Sequence, residues 1–550
     1  MLVVLLLLSF LLAKAQLPQE YELFIRYRQT GDVDIAYRII REYPDAVFRD
    51  DLLVLLAKRE VSRQRLDKAR QLLREVNPKN LREELKEELL KLWKDLELDP
   101  REGFLKSPVL FREFIPKVKL SVEESLEASE ELFRKRYYTE VVALLEPLPF
   151  QQVCWTLGRA YRALRERERS VEIFEKCADR RARAELAVIY FEMGMKEKAE
   201  EMLSLLKEKD LQSDAFFRMG RHSLNRGSYN EAVAYFQRME PSYRREFNIG
   251  LSLYSLGDYT RALDYFLSSV NYARNAEERS TSYFWAYKTL LHIDKERAGE
   301  YLVKASNGNG FYHAVASSML GLPVASKAIR AVMEDESLPK TAAVIRAVWS
   351  AGFPEYARLE AFKRLGQMSS SDILSISRFD PFLAIRLAVR KYGYGSFVYN
   401  AVAFPKPYRE AVEKASQTYA IEPAMIYAVM RQESLFDPYA VSVAKARGLM
   451  QLIDSTAQYM AKREGIRLKN IYDPETNILL GTAYLRYLLD QFNGNIVRTL
   501  AGYNAGPTRV KNWQNHSDDY LFIELIPITE TRDYVKRVLY NYYVYSELLK

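Results

Sequence analysis

From just after Gln16 to about residue 300, apolar residues recur every three to four positions, and the alternating runs that mark half-buried strands are scarce. The pattern predicts a succession of amphipathic helices and an all-α protein. Within it a unit of about 30 to 33 residues repeats, with Gly194-Met195-Lys196-Glu197-Lys198-Ala199, Gly227-Ser228-Tyr229-Asn230-Glu231-Ala232 and Gly257-Asp258-Tyr259-Thr260-Arg261-Ala262 in alignment. Gly31 to Ala36 has the same spacing. A Gly that ends one helix in a left-handed turn, followed by a small Ala that lets two helices approach, reads as helix, turn, helix. Phe236 and Phe266 follow their Ala as large core residues.

These units resemble tetratricopeptide-type helical hairpins, which stack into a solenoid with an extended concave face. Between about residues 308 and 400 the Gly spacing is lost while helical segments continue through Gly310-Phe311-Tyr312-His313-Ala314 and Ala384-Ile385-Arg386-Leu387-Ala388. A smaller helical linker domain is expected there. Phe404-Pro405-Lys406-Pro407-Tyr408 breaks any helix, because Pro lacks the amide donor and pushes its predecessor towards extended geometry. The expected division is a signal peptide at 1–15, a helical superhelical domain at 16–307, the linker domain at 308–404 and a last domain at 405–550.

A length of 550 residues exceeds what one core serves, which agrees with several domains. Hydrophobic residues at 48% and charged residues at 28% exclude a disordered chain. The net charge of +8 suits nucleic acid, anionic lipid or an anionic wall polymer, but it reads first as a dispersed solvated surface, and no Lys/Arg block marks a nucleic-acid arm. Met1 to Gln16 is an apolar run ending in Ala13-Lys14-Ala15, the small-x-small pattern of a secretory cleavage site. Only the terminal amine supplies positive charge before it, and the run is too short to span a bilayer as a helix. No Cys follows the cleavage site, so a soluble periplasmic protein is expected. Cys154 and Cys177 are too few for a Cys-rich zinc site or a disulfide-dense scaffold. They lie symmetrically about Arg165-Glu166, the expected turn of a helical hairpin. Two readings stay open, a disulfide or two small buried apolar residues.

The candidate chemistry sits in the last domain. In Pro423-Ala424-Met425-Ile426-Tyr427-Ala428-Val429-Met430-Arg431-Gln432-Glu433-Ser434, Pro423 suits a first helical turn, and Ile426, Val429 and Met430 form one apolar stripe. Glu433 falls on that stripe, close to the helix end that Asp437-Pro438 imposes. Burial and the negative end of the helix dipole both disfavour ionisation and raise its pKa, as a general acid near neutrality requires. The competing reading is a buried structural carboxylate that only accepts hydrogen bonds.

Four motifs in order decide between these readings: Arg431-Gln432-Glu433-Ser434, Gly448-Leu449-Met450-Gln451, Gly502-Tyr503-Asn504-Ala505-Gly506-Pro507 and Ile528-Thr529-Glu530-Thr531-Arg532-Asp533-Tyr534-Val535. Through them residues 405 to 550 resemble the soluble lytic murein transglycosylases. The upstream Pro405-Lys406-Pro407-Tyr408-Arg409 and the Phe311-Tyr312 segment are similar to that family's linker. The resemblance implies a lysozyme-like α-helical catalytic domain seated on a ring-like superhelix. It implies Glu433 as the catalytic Glu, and substrate contacts from Ser442, Met450, Gln451, Tyr503, Asn504 and Glu530. Ser442 has the alternative of merely capping backbone, and Tyr503 of merely packing. The chain departs from the family at Lys445, where Gly is frequent, which leaves the loop near Ser442 open, and at Gly502, which replaces the more usual Ala.

The implied reaction is non-hydrolytic cleavage of the β-1,4 bond between N-acetylmuramic acid and N-acetylglucosamine, with 1,6-anhydromuramic ends as product and no metal or cofactor. An ordinary glycosidase needs a second carboxylate across the sugar. None is obvious: Asp437 belongs to the helix-ending Asp-Pro, Asp454 reads as the N-cap of a helix at 455–463, and Glu530 sits in a distant motif. The alternatives are goose-type lysozyme hydrolysis by the same acid, and a non-catalytic glycan-binding scaffold that recruits wall-synthesis proteins. Peptidoglycan strands are the expected partner, with no nucleic acid and no stable membrane span.

Overall fold

The computed structural model describes residues 17–325 and 339–550, so the expected export signal at 1–15 lies outside the described residues. The architecture is all-α. Among the described residues there is no strand, only isolated antiparallel bridges pairing Val441 with Arg447 and Arg447 with Leu452. No helix among them is long and apolar enough to cross a membrane.

The repeat is longer than its glycines show. Helical hairpins turn at Gly31, Gly194, Gly227 and Gly257, each with positive φ, and also at Gln64, Glu97, Arg136 and Arg165, which hold the same left-handed conformation at a cost of about 1 kcal/mol each. The fifth residue after the turn is small and buried at Ala36, Ala199, Ala232 and Ala262, as the spacing predicts, and also at Ala69 and Ser170 behind non-Gly turns. A second glycine lies inside the first helix of several hairpins and meets the large core residue of the second. A Cβ at Gly220 would lie 2.5 Å from the Phe236 ring and one at Gly250 2.9 Å from the Phe266 ring, and Gly158 meets Phe174 in the same way.

By packing, the chain divides into two units, Met1–Asp179 with Met333–Val402, and Arg180–Val332 with Ala403–Lys550. In the first, the helix Pro354–Lys363 closes over the earliest hairpins: Tyr356 and Phe353 join Phe24 and Phe48 in one aromatic cluster. Helices α1 (Phe150–Ala163) and α2 (Arg167–Lys176) form the hairpin that turns at Arg165. There Cys154 and Cys177 form a disulfide with Cα atoms 5.6 Å apart, which decides between the two readings of the pair.

The second unit holds α3 (Lys209–Asn225) and α4 (Gly310–Met319), then α5 (Pro423–Ser434), α6 (Asp454–Arg463), α7 (Pro474–Gln491), α8 (Ile496–Ala505), α9 (Asp519–Glu524) and α10 (Thr529–Leu548). Helix α5 is the buried axis of its last part. Ala424 to Met430 are all buried, and α10 runs along it, with Asn541 accepting from Arg431 at 3.0 Å. Earlier helices share this unit: on the helix Ala276–Ile293, Phe284 meets Tyr520 edge-on at 5.0 Å, and Lys288 pairs with Asp518 at 2.9 Å.

Candidate active site

Helix α5 begins with Pro423 in its first turn and ends at Ser434, where Leu435 turns left-handed with φ 51°. Glu433 is the penultimate residue. Ile426, Val429 and Met430 on its stripe are fully buried, and Glu433 is half-buried where the stripe reaches the end of the helix. Burial pushes its carboxyl up to about 7 from an ordinary 4.5, and the charge of Glu530 adds to the rise. Opposing both, the Tyr534 hydroxyl donates to Glu433 Oε1 at 2.7 Å. Near neutral pH the carboxyl therefore holds a proton it can give up.

The segment from 435 to 452 folds into a compact loop facing that carboxyl's helix end. Ser434 fastens it, its hydroxyl donating to the Leu449 carbonyl at 2.8 Å and accepting from the Phe436 amide at 3.1 Å. Asn477, fully buried on α7, accepts from the Met450 amide at 2.8 Å and donates to the carbonyls of Arg447 and Ile471 at 3.1 and 2.8 Å. Ser442 closes the tip, its hydroxyl accepting from the Ala446 amide at 3.0 Å. Lys445 adopts φ 61° in that tip, so a lysine holds the turn that a glycine would favour. Gln451 donates to the carbonyls of Ala440 and Gly448, both at 2.9 Å, and Met450 is fully buried. Ser442 and Gln451 are thus tied into the framework of the loop.

The other expected residues come from α8 and α10. Tyr503 donates to the Met450 carbonyl at 2.7 Å, and its phenol is pushed well up by burial, with the Glu433 charge as a further cause. Exposed Asn504 accepts from the Thr531 hydroxyl at 2.7 Å, which joins the third and fourth motifs. Glu530 is exposed in the first turn of α10, one helical turn before Tyr534. Sequence reasoning quoted Tyr534 within its motif without giving it a task, although its spacing from Glu530 puts the two on one helix face.

The carboxylates weighed as second partners have other work. Asp437 accepts from the Tyr439 amide at 3.3 Å, and Asp454 accepts from Arg447 at 2.9 Å. Asp454 is the first residue of α6, with Ile453 as N-cap, so the expectation of an Asp454 cap over 455–463 is corrected by one position. Its charge still suits a helix start.

A raised carboxyl at a helix end, facing a tightly bonded loop on an all-α domain, is the candidate site. Comparisons with known proteins agree on the kind of domain: residues 410–526 match the family described as Transglycosylase SLT domain, and residues 151–183 match Tetratricopeptide repeat. The chain carries a transglycosylase SLT domain and is homologous to the soluble lytic murein transglycosylases. It is 31% identical over 287 residues to the soluble lytic murein transglycosylase of Escherichia coli, covering 48% of this chain and 43% of that protein. It is 38% identical over 153 residues to a putative soluble lytic murein transglycosylase of Haemophilus influenzae, 26% of either chain. The chain thus spans less than half the length of these curated relatives. Its fold is that of the 70 kDa soluble lytic transglycosylase of E. coli, with TM-score 0.62, 21% identity and coverage of 96% of this chain and 92% of that one. A complex of the 70 kDa soluble lytic transglycosylase with bulgecin A gives 0.63, again at 21% identity.

Proposed function

We propose that this protein is a lytic transglycosylase of peptidoglycan, with its catalytic domain at 405–550 and Glu433 as its acid and base. The observation that carries this reading is the Glu433 carboxyl, half-buried at the end of α5, raised to about 7 and hydrogen-bonded by Tyr534. Glu433 protonates the oxygen of the β-1,4 bond between N-acetylmuramic acid and N-acetylglucosamine, and the C1–O bond breaks. The substrate's acetamido group stabilises the positive charge at C1. Glu433, now ionised, takes the proton of the C6 hydroxyl, the O6–C1 bond forms, and a 1,6-anhydromuramic end results. Ring closure restores the protonated acid, so one carboxyl serves both steps. Exposed Asn504 and Glu530, with Tyr503, contact the glycan from the α8 and α10 ends, while Met450, Ser442 and Gln451 shape the loop beside Glu433 through burial and backbone bonds. The export pattern of residues 1–15 supports a periplasmic location, where this substrate lies.

Replacing Glu433 by Gln keeps shape and hydrogen bonding but removes the transferable proton. Release of soluble fragments from purified wall sacculi should fall at least ~100-fold, and a fully active Gln variant would refute the assignment. A second reading, hydrolysis with water in place of the C6 hydroxyl, draws on Glu530, whose negative charge is felt at Glu433.

A further inference from the structure

Glu524 is the one charged residue in the apolar run Leu521-Phe522-Ile523-Glu524-Leu525-Ile526, and it is buried, with 4% of its surface exposed. A carboxylate so placed is costly unless fully partnered. Its partners are specific: the Tyr312 hydroxyl of α4 donates to Oε1 at 2.6 Å, and the Lys536 ammonium of α10 lies 2.7 Å from the same oxygen. The Glu524 backbone carbonyl accepts from Arg221 of α3 at 2.8 Å. Arg221 is itself fixed by Asn248 at 3.0 Å, and burial draws its guanidinium down to about 9. Burial pushes the Glu524 carboxyl up, but Lys536, Tyr312 and Arg532 outweigh it and hold the group below its usual range. Three separate helices meet on one buried residue.

The geometry matters because of what α10 carries. Tyr534 and Lys536 are two residues apart, about 200° around a helix, so they face opposite sides. Tyr534 reaches Glu433, and Lys536 reaches Glu524. The N-terminal half of α10 is thus held between the candidate acid on one side and a buried hub on the other. We propose that Glu524 is a positioning residue: by anchoring Lys536, and through Tyr312 and Arg221 the helices α4 and α3, it holds Tyr534 against the Glu433 carboxyl. Helices α3 and α4 then help to set the proton affinity of the acid from a distance. This inference rests on the proposed function for its catalytic meaning, but its physical content, the state of the Glu433 carboxyl, is measured without activity.

The groups that bear on Glu433 are Tyr534, Glu530 and Tyr503; those that bear on Glu524 are Lys536, Arg532, Tyr312, Arg221 and Tyr243. These make the direction of the test informative. Removing the Glu524 charge acts through space to lower the pKa of Glu433, since one negative charge is lost. Loosening the Tyr534 hydrogen bond acts the other way, since that bond favours the ionised carboxylate.

The experiment is a titration of the Glu433 carboxyl by carbon-13 NMR in the full-length protein, assigned by difference against Glu433→Gln, with pH profiles of kcat/KM on purified sacculi recorded beside it. Tyr534→Phe should raise the Glu433 midpoint by about half to one pH unit. Glu524→Gln should raise it in the same direction by no more than that, and the double variant Glu524→Gln with Tyr534→Phe should match Tyr534→Phe alone. Tyr312→Phe keeps every charge and should give a smaller rise, which keeps the test decisive if Glu524→Gln fails to fold. A midpoint that falls, stays put in both hub variants, or adds independently in the double variant would overturn the positioning role. If the midpoints move as expected while Glu433→Gln stays active, the hub stands and the reading of Glu433 as catalyst falls.

Discussion

Replacing Glu433 by Gln should stabilise the protein in a pH-dependent way. A carboxyl whose pKa rises from 4.5 in the unfolded chain to about 7 in the folded one binds its proton more tightly when folded. Below pH 4.5 both states are protonated, and the group contributes as much as a neutral residue. Between about 4.5 and 7 the unfolded chain ionises while the folded one does not, so stability falls as pH rises, and above about 7 the loss is complete. At about 1.4 kcal/mol per pH unit, the ionised carboxylate costs the fold about 3 kcal/mol at pH 8. Gln accepts the same Tyr534 hydrogen bond without ever ionising. The difference in melting temperature between Glu433→Gln and the parent should therefore be near zero at pH 4, grow through pH 5 to 7, and level off above it. At roughly 2 °C per kcal/mol for a cooperative unit of a few hundred residues, the plateau is about 6 °C. Scanning calorimetry of both proteins from pH 4 to 9 measures this, and other titrating groups cancel in the difference. A difference that is flat with pH, or that shrinks as pH rises, would refute the raised pKa and with it the protonated acid.

The repeat packing predicts that Gly220→Ala destabilises by about 1 to 3 kcal/mol, since its Cβ would lie 2.5 Å from the Phe236 ring of its own hairpin; denaturant unfolding would show it, and an unchanged midpoint would contradict the close approach. Asn477→Ala leaves the Met450 amide and the carbonyls of Arg447 and Ile471 without their partner, so it should cost about 2 to 4 kcal/mol and lower kcat, because the loop facing Glu433 loses its anchor. A fragment of residues 405–550 loses Tyr312 and Arg221 around Glu524 and Phe284 against Tyr520; it should melt well below the full chain and lose most activity even on short glycans, and equal stability would show that the earlier helices only cover it.

Much of this was legible in the sequence where the physics is local. Glu433 could be placed on the Ile426, Val429, Met430 stripe because a helix repeats every 3.6 residues, and its raised pKa followed from that position alone. The hairpins at Gly194, Gly227 and Gly257 were legible because Gly announces a left-handed turn. The turn at Arg165 was legible only through the cysteine pair placed evenly about it, and those at Gln64, Glu97 and Arg136 were not, because side chains there adopt the same conformation without any compositional mark. The buried small residue five positions on, as at Ala69 and Ser170, was the surviving signal. What the sequence hid was non-local. Tyr534 bonds Glu433 across a separation of 101 residues, and Tyr312 bonds Glu524 across 212. The one visible trace of the hub was a lone carboxylate inside an apolar run.

Mass analysis of the fragments released from purified wall sacculi tests the proposed chemistry most directly. A single carboxyl that serves as acid and then base, with the C6 hydroxyl as nucleophile, gives fragments ending in 1,6-anhydromuramic acid, one water lighter than hydrolytic products and resistant to borohydride reduction. Reducing muramic ends as the main product would contradict it and leave Glu433 as the acid of a hydrolase.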